Sequence, residues 1–241
     1  MKNITSKKQL FLDFGRDYDA SLSNFFFSKA NEIIKNEIHL LMQGNDKSDL
    51  FIYGENEVGK TFLLNSILND APNSSQTIYI DLSKLNEEKD YFSDFENFDL
   101  ICLDNLDSLN QDLEIQIFNL INASKASGTS LIFASGVPVS ELQVFPDLYS
   151  RLKEINFFTL KSLDGDETLD CLNFLAPKLD LHIHADGLEL IAKKIKRDFL
   201  SIKQALIDFD KYLYSEKKTA DQNVGCFFFK NIFRLIYSFT L

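Results

Sequence analysis

The 241-residue chain is short of positive charge, of cysteine and of any long uninterrupted apolar run. Asp and Glu number 36 against 25 Lys and Arg, a formal net charge of −11. Broad binding to a phosphate backbone needs clustered cations, so protein partners are expected rather than direct DNA binding. Three cysteines (Cys102, Cys171 and Cys226) are odd in number and scattered. That pattern suits buried thiols in a reducing cytoplasm, not a disulfide framework. The N-terminal MKNITSKKQLFLDFGRD lacks the apolar stretch of a signal peptide, and no segment reaches the length of a membrane span. Residues 227–241 come closest, but Lys230, Asn231 and Arg234 interrupt them. Their apolar positions Phe229, Ile232, Phe233, Ile236 and Tyr237 fall on a helical stripe, which suits a packing or interfacial helix. His182 and His184 form an H-x-H with no further His or Cys at ligand spacing, so a loop or strand end is expected there rather than a metal site. No internal repeat or low-complexity linker is visible.

With 45% apolar residues, the chain can bury one sizeable core plus a smaller attached unit. The stretch Gly54-Glu55-Asn56-Glu57-Val58-Gly59-Lys60-Thr61 matches G-x-x-x-x-G-K-[ST] without a gap. An apolar run, Leu50 to Tyr53, reads as a buried strand entering this loop, and Thr61 to Leu68 reads as a helix leaving it. Glycines let successive N–H groups turn inward around phosphate oxygens, and the helix N-terminus adds its positive dipole end. In that role Lys60 reaches the β- and γ-phosphates and the Thr61 hydroxyl ligates Mg²⁺. A site for ADP or ATP is expected.

Further strands read at Thr77–Asp81, Leu100–Leu103, Ser130–Ala134 and Ile155–Leu160. A polar, acidic stretch from Ser83 to Asn97 is expected to contain a helix. Leu113 to Ala126 has helical spacing and stops at Gly128, a C-terminal cap. Apolar strands alternating with helices imply an α/β fold with a parallel five-stranded sheet covered on both faces. From Asp164 onward three helical patterns follow, near Glu167–Leu179, Asp186–Lys196 and Leu200–Tyr214. They form a small all-helical lid, placed to close over a site at the carboxyl ends of the strands.

Asp104 ends the third strand, where a second phosphate-site carboxylate belongs to hold Mg²⁺ with Thr61. Asn105 stands where many such ATPases place another acid beside the attacking water. An amide can hydrogen-bond that water but cannot take its proton, so firm binding and poor intrinsic hydrolysis are expected. Asp107 is close enough in sequence to substitute, and a helix-start acid is its other reading.

Several segments between Gln9 and Lys217 resemble the DnaA branch of the AAA+ ATPases. Within it the likeness is to the Hda subgroup, short homologues that inactivate the bacterial replication initiator DnaA. Asn24-Phe25-Phe26-Phe27-Ser28-Lys29-Ala30-Asn31 resembles the segment leading into the AAA+ core, which places Phe25 beside the adenine; the alternative is the apolar start of a core helix. Ile101 to Leu106 is similar to that subgroup's Walker B, with Asp104-Asn105 for the initiator's Asp-Asp. Leu131 to Gly136 resembles the sensor 1 strand, which implicates Ser135, with a turn at Pro138. Asp147-Leu148-Tyr149-Ser150-Arg151-Leu152 is similar to box VII, whose arginine is a finger acting on a neighbouring subunit's nucleotide. The resemblance makes Arg151 that finger; alone, it reads as a surface arginine.

Gln9-Leu10-Phe11-Leu12-Asp13-Phe14 looks like the peptide by which this subgroup docks on the sliding clamp of DNA polymerase III. Gln9, Leu10, Leu12 and Phe14 would be its contacts, and a first strand on the domain edge is the alternative. The resemblance implies a negative regulator of replication initiation, cytoplasmic and associated with the replisome, acting on DnaA-bound ATP. A DnaA-related adaptor using nucleotide as a binding switch is the other reading, and a homodimer or higher oligomer is compatible with either. The sensor 2 position falls on Leu200, with Arg197 three residues earlier as the available cation. The ending 223–241 does not match the subgroup, and no DNA-reading helix-turn-helix is expected. The expected layout is a clamp peptide over 1–16, an AAA+ domain over 17–162, a lid over 163–218 and an aromatic tail over 219–241.

Overall fold

The computed structural model describes residues 17, 19–44, 48–72, 74–85, 91–92, 95–181, 183 and 185–216. Gln9–Phe14, both histidines of the H-x-H, Cys226 and the aromatic tail lie outside them. Five parallel strands, β1 (Leu50–Tyr53), β2 (Thr77–Asp81), β3 (Leu100–Asp104), β4 (Ser130–Ser135) and β5 (Asn156–Thr159), form one sheet ordered β2-β3-β4-β1-β5. The register sets Asp81 beside Asp104, and Tyr53 between Ser135 and Thr159. The carboxyl ends of the strands therefore share one edge of the sheet, where a parallel α/β fold binds ligands.

Strand side chains alternate between two cores. Leu50, Ile52, Cys102, Ile132 and Ala134 face one cluster; Phe51, Ile101, Leu103, Leu131 and Phe133 face the other. Both faces are dry, which is why the strands read as unbroken apolar runs. Each fully buried Phe or Leu contributes about 1.5–3 kcal/mol of transfer free energy.

The first face is covered by α1 (Glu32–Met42) and α2 (Lys60–Asn69), the second by α3 (Gln111–Ser127) and α4 (Pro146–Lys153). Asn110 accepts the Leu113 N–H at 2.9 Å to start α3, and Gly128 ends it at φ 77°, the left-handed cap expected from sequence. The helix expected within Ser83–Asn97 does not appear among the described residues. They form only 3₁₀ turns at Leu82–Lys84 and Phe95–Asn97, with 86–90 and 93–94 outside the description. At 82–84 the turn is local: Asp81 accepts from the Ser83 N–H and hydroxyl.

Among the described residues three α-helices follow the sheet: α5 (Glu167–Leu175), α6 (Ala185–Ala192) and α7 (Phe199–Glu216). Cys171, Leu172, Ile191, Ile202 and Leu206 join them to the first core. Buried Glu167 ties this unit to the segment before α1, accepting the Lys29 N–H at 2.7 Å and the Asp164 N–H at 3.1 Å. Buried Asn31 clamps the chain beyond β5, exchanging two 2.9 Å hydrogen bonds with the Lys161 backbone. No helix among the described residues is long and apolar enough to cross a membrane.

Candidate functional site

The loop between β1 and α2 is shaped by its glycines. A Cβ on Gly54 would stand 2.3 Å from the Leu160 carbonyl oxygen, so no larger residue fits there. Gly59 adopts φ 104° and sits 3.0 Å, measured from a would-be Cβ, from the Phe25 ring. Glu57 also takes a positive φ, 68°, an uncommon conformation for a side-chain-bearing residue. Gly59 caps α2 without a side-chain hydrogen bond, which leaves the first-turn N–H groups of α2 to a ligand. Such a bent loop before a bare helix N-terminus fits a phosphate chain.

Lys60 and Thr61 are already ordered within this frame. The Lys60 ammonium donates to the Gly54 and Glu55 carbonyls at 2.6 and 2.8 Å. Burial lowers its pKa, opposed by the negative charges of Asp104 and Asp107. The Thr61 hydroxyl donates to Asp104 Oδ2 at 2.6 Å, and Tyr79 donates to the same oxygen at 2.8 Å. Burial and the Asp104 charge push the Tyr79 phenol far above its ordinary range, so it stays a donor. Asp104 is 1% exposed. Thr61 and Asp104, the pair expected to hold Mg²⁺, are therefore brought together.

Asn105 has φ 58°, and its amide nitrogen donates to Asp81 Oδ1 at 2.7 Å. Burial disfavours ionisation of Asp81, but hydrogen bonds from Ser83, Asn105 and Lys84 outweigh it and hold the carboxyl below its usual range. Asp107 bridges to the end of β4, where its Oδ1 accepts from the Ser135 hydroxyl at 3.2 Å and the Gly136 N–H at 2.8 Å. Gly136 lines a cavity of about 370 Å³ together with Gly54, Glu55 and Pro138. Ser135 is thus at the site edge, engaged with a carboxylate.

Phe25 is buried against Phe27, Phe62 and Phe199 at centroid distances of 4.7, 6.2 and 4.9 Å. It lines a second cavity of about 380 Å³ with Phe26, Ile38 and Phe174. From the helical unit, Lys196 pairs with Glu57 and the Leu200 N–H meets the Glu57 carbonyl at 3.5 Å. Arg197 lies elsewhere: its guanidinium packs 3.1 Å from the would-be Cβ of Gly165. Arg151 stands on α4, anchored by buried Leu148 and Leu152, with its side chain 38% exposed and 3.6 Å from Glu154. Glu154 also meets Lys125 at 2.7 Å.

The sequence expectations omit Asp81, Tyr79 and Lys196. Asp81 carried the same signal as Asp104, an acid ending an apolar strand; Tyr79 and Lys196 carried none, because their contacts depend on strand register and on how the helical unit meets the loop.

No protein-family model matches the chain. An uncharacterized protein of Haemophilus influenzae is 30% identical over 238 residues, covering 95% of this chain and 99% of that one. The DnaA initiator of Tropheryma whipplei is 29% identical over 147 residues, covering 53% of this chain but only 30% of the initiator. Among solved structures, domain III of Thermotoga maritima DnaA superposes with TM-score 0.76 at 19% identity, over 90% of this chain and 98% of that one. AMPPCP-bound DnaA of Aquifex aeolicus gives TM-score 0.67 at 20% identity, over 81% and 65%. The chain belongs to the same family as the Haemophilus protein, and its fold is that of DnaA domain III.

Proposed function

We propose that the chain is a nucleotide-holding regulator of replication initiation, of the Hda type, that stimulates hydrolysis of DnaA-bound ATP through Arg151. The observation carrying this reading is the condition of Arg151. It stands on α4 with its side chain 38% exposed and, among the described residues, is held by a 3.6 Å pair with an exposed carboxylate. Such surface pairs hold weakly against water, so little opposes swinging the guanidinium toward another molecule. A fixed planar cation beside a γ-phosphate stabilises the charge that develops in transfer.

In this reading residues 54–61 hold the phosphates of ADP or ATP, Thr61 and Asp104 hold Mg²⁺, and Phe25 packs beside the base. The nucleotide supplies a phosphate anchor that fixes the lid, while Asn105 keeps intrinsic turnover low. Gln9, Leu10, Leu12 and Phe14 tether the protein to the sliding clamp, raising its local concentration near DnaA on replicated DNA. Location is then cytoplasmic, at the replisome. Arg197 is not needed for this account; Lys196 is the lid cation at the loop.

The deciding measurement is hydrolysis of ATP bound to DnaA, with this protein and clamp-loaded DNA, omitting each component in turn. Arg151→Ala should abolish the stimulation and leave nucleotide affinity intact; undiminished stimulation removes the finger. Changing Gln9, Leu12 and Phe14 to Ala should abolish clamp pull-down. One observation favours a second reading, a DnaA-related adaptor without hydrolytic action: Lys196 of the helical unit pairs with Glu57 of the loop, so a loop occupant would bear on lid position. That reading predicts nucleotide-dependent partner capture untouched by Arg151→Ala.

A further inference from the structure

We infer that Asp107 is the carboxylate that accepts the proton of the attacking water in this chain's own residual hydrolysis of a nucleoside triphosphate. The inference rests on the reading of residues 54–61 as a triphosphate site. Asn105, in the position usually given to that acid, cannot accept a proton and has its amide nitrogen committed to Asp81 at 2.7 Å. Asp81 is itself occupied by Ser83, Lys84 and Asn105, which favour its ionised form and make it a poor base.

Asp107 differs on each count. One of its oxygens is fixed by the Ser135 hydroxyl and the Gly136 N–H, so the group is oriented. Its other oxygen, Oδ2, takes no hydrogen bond among the described residues and lies 3.2 Å from where a Cβ of Gly136 would be. Gly136, on the wall of the cavity that Gly54 and Glu55 also line, therefore leaves room for the Asp107 carboxylate beside it. Lys60, the phosphate-seeking cation, feels the charges of Asp104 and Asp107 together. Asp104 is sealed by Thr61 and Tyr79, whereas Asp107 is exposed to solvent that can supply the nucleophile.

In the step proposed, the water oxygen bonds to the γ-phosphorus while the bond from that phosphorus to the β,γ-bridging oxygen breaks. The electron pair leaves on the diphosphate, and the water's proton passes to Asp107 Oδ2 and then to solvent. The products are ADP, inorganic phosphate and one proton.

Asp107→Asn is the informative variant, because its amide oxygen can still accept from Ser135 and Gly136 while no proton can be taken. Three measurements are made on the full chain: affinity for a fluorescent ATP analogue, single-turnover hydrolysis, and retention of ADP with aluminium fluoride, which mimics the transferring phosphoryl group. The expected result is unchanged analogue affinity, roughly 10²-fold slower turnover and loss of aluminium-fluoride-dependent ADP retention. Gly136→Ala, which pushes the carboxylate aside without altering it, should slow turnover in the same direction. If the parent binds no ATP analogue, the triphosphate reading itself fails. If it binds and Asp107→Asn turns over at the parent rate, or the parent has no turnover, the role of Asp107 alone is overturned.

Discussion

Placing an acid at position 105 should damage this protein rather than improve it. Asn105 Nδ2 donates to Asp81 Oδ1 at 2.7 Å, and Asp81 is only 7% exposed. Asn105→Asp turns that hydrogen bond into two facing carboxylates. Asp tolerates the left-handed backbone at 105 about as well as Asn, so the change isolates charge from conformation. Two unit charges about 3 Å apart repel by ~5 kcal/mol at an effective dielectric of 20. Protonating one of the pair at pH 7 limits the cost to ~4 kcal/mol, three pH units at 1.36 kcal/mol each. Half-burial at 105 lets the new carboxylate turn partly toward water, which leaves ~2–4 kcal/mol. For a domain of this size that is roughly 5–15 °C in melting temperature.

The sign with pH is fixed by the same physics. The variant's pair holds an extra proton when folded, so its shared pKa lies above the unfolded carboxylate value. The penalty is then smallest near pH 4–5 and grows to its full size as pH rises through the raised pKa. Chemical unfolding at pH 5 and 7.5 reads this directly. Asp81→Asn combined with Asn105→Asp restores one amide facing one carboxylate and should recover most of the loss, a coupling of ~2 kcal/mol or more. An Asn105→Asp protein as stable as the parent at pH 7.5, or a double variant no better than the sum of its singles, would refute the pairing.

Other consequences are separable. Gly54→Ala forces a Cβ to within 2.3 Å of a backbone carbonyl, so it should distort the loop and lower affinity for ADP by at least ~10-fold in titration. Asp198, 3% exposed, accepts from the Ser201 N–H at 2.7 Å and hydroxyl at 2.8 Å at the start of α7. Asp198→Ala should cost ~1–2 kcal/mol and raise amide exchange along α7. Lys196→Ala removes an exposed pair with Glu57 and a 3.6 Å contact with buried Asp198, so overall stability should change little while protease access to 193–198 increases as the helical unit loosens from the loop.

How much of this was readable beforehand follows from range of interaction. Leu50–Tyr53 and Thr77–Asp81 are legible because a strand dry on both faces is a local apolar run. Gly128 is legible because a helix end needs a left-handed residue where it stops. The loop of residues 54–61 is legible for the same local reason. At 82–84 a turn appears because Asp81, at the end of the adjoining strand, accepts from the Ser83 N–H and hydroxyl, a contact that sequence spacing alone does not announce. The Asn105–Asp81 contact was not legible, since it exists only once β2 and β3 pair in register. Nor was the Lys196–Glu57 pair at the loop, which residue type alone does not select over neighbouring Arg197.

The hydrogen bonding inside the loop also bears on how nucleotide would be held. Lys60 already donates to two carbonyls and Thr61 already donates to Asp104, so a phosphate gains little by merely offering these groups partners. An exchange of one hydrogen bond for another is nearly neutral; what remains is charge. Phosphate oxygens carry formal negative charge where backbone carbonyls carry only a dipole, and charge-assisted bonds are about twice as strong. Mg²⁺ would likewise have to displace the Thr61 proton from Asp104, and two positive charges against a buried carboxylate favour that exchange. Affinity should therefore rise steeply with phosphate number and with Mg²⁺, and adenosine alone should bind weakly through the Phe25 cluster. Titrating adenosine, AMP, ADP and ATP with and without Mg²⁺ tests this order; equal affinity for adenosine and ADP would mean that the aromatic side, not the loop, holds the ligand.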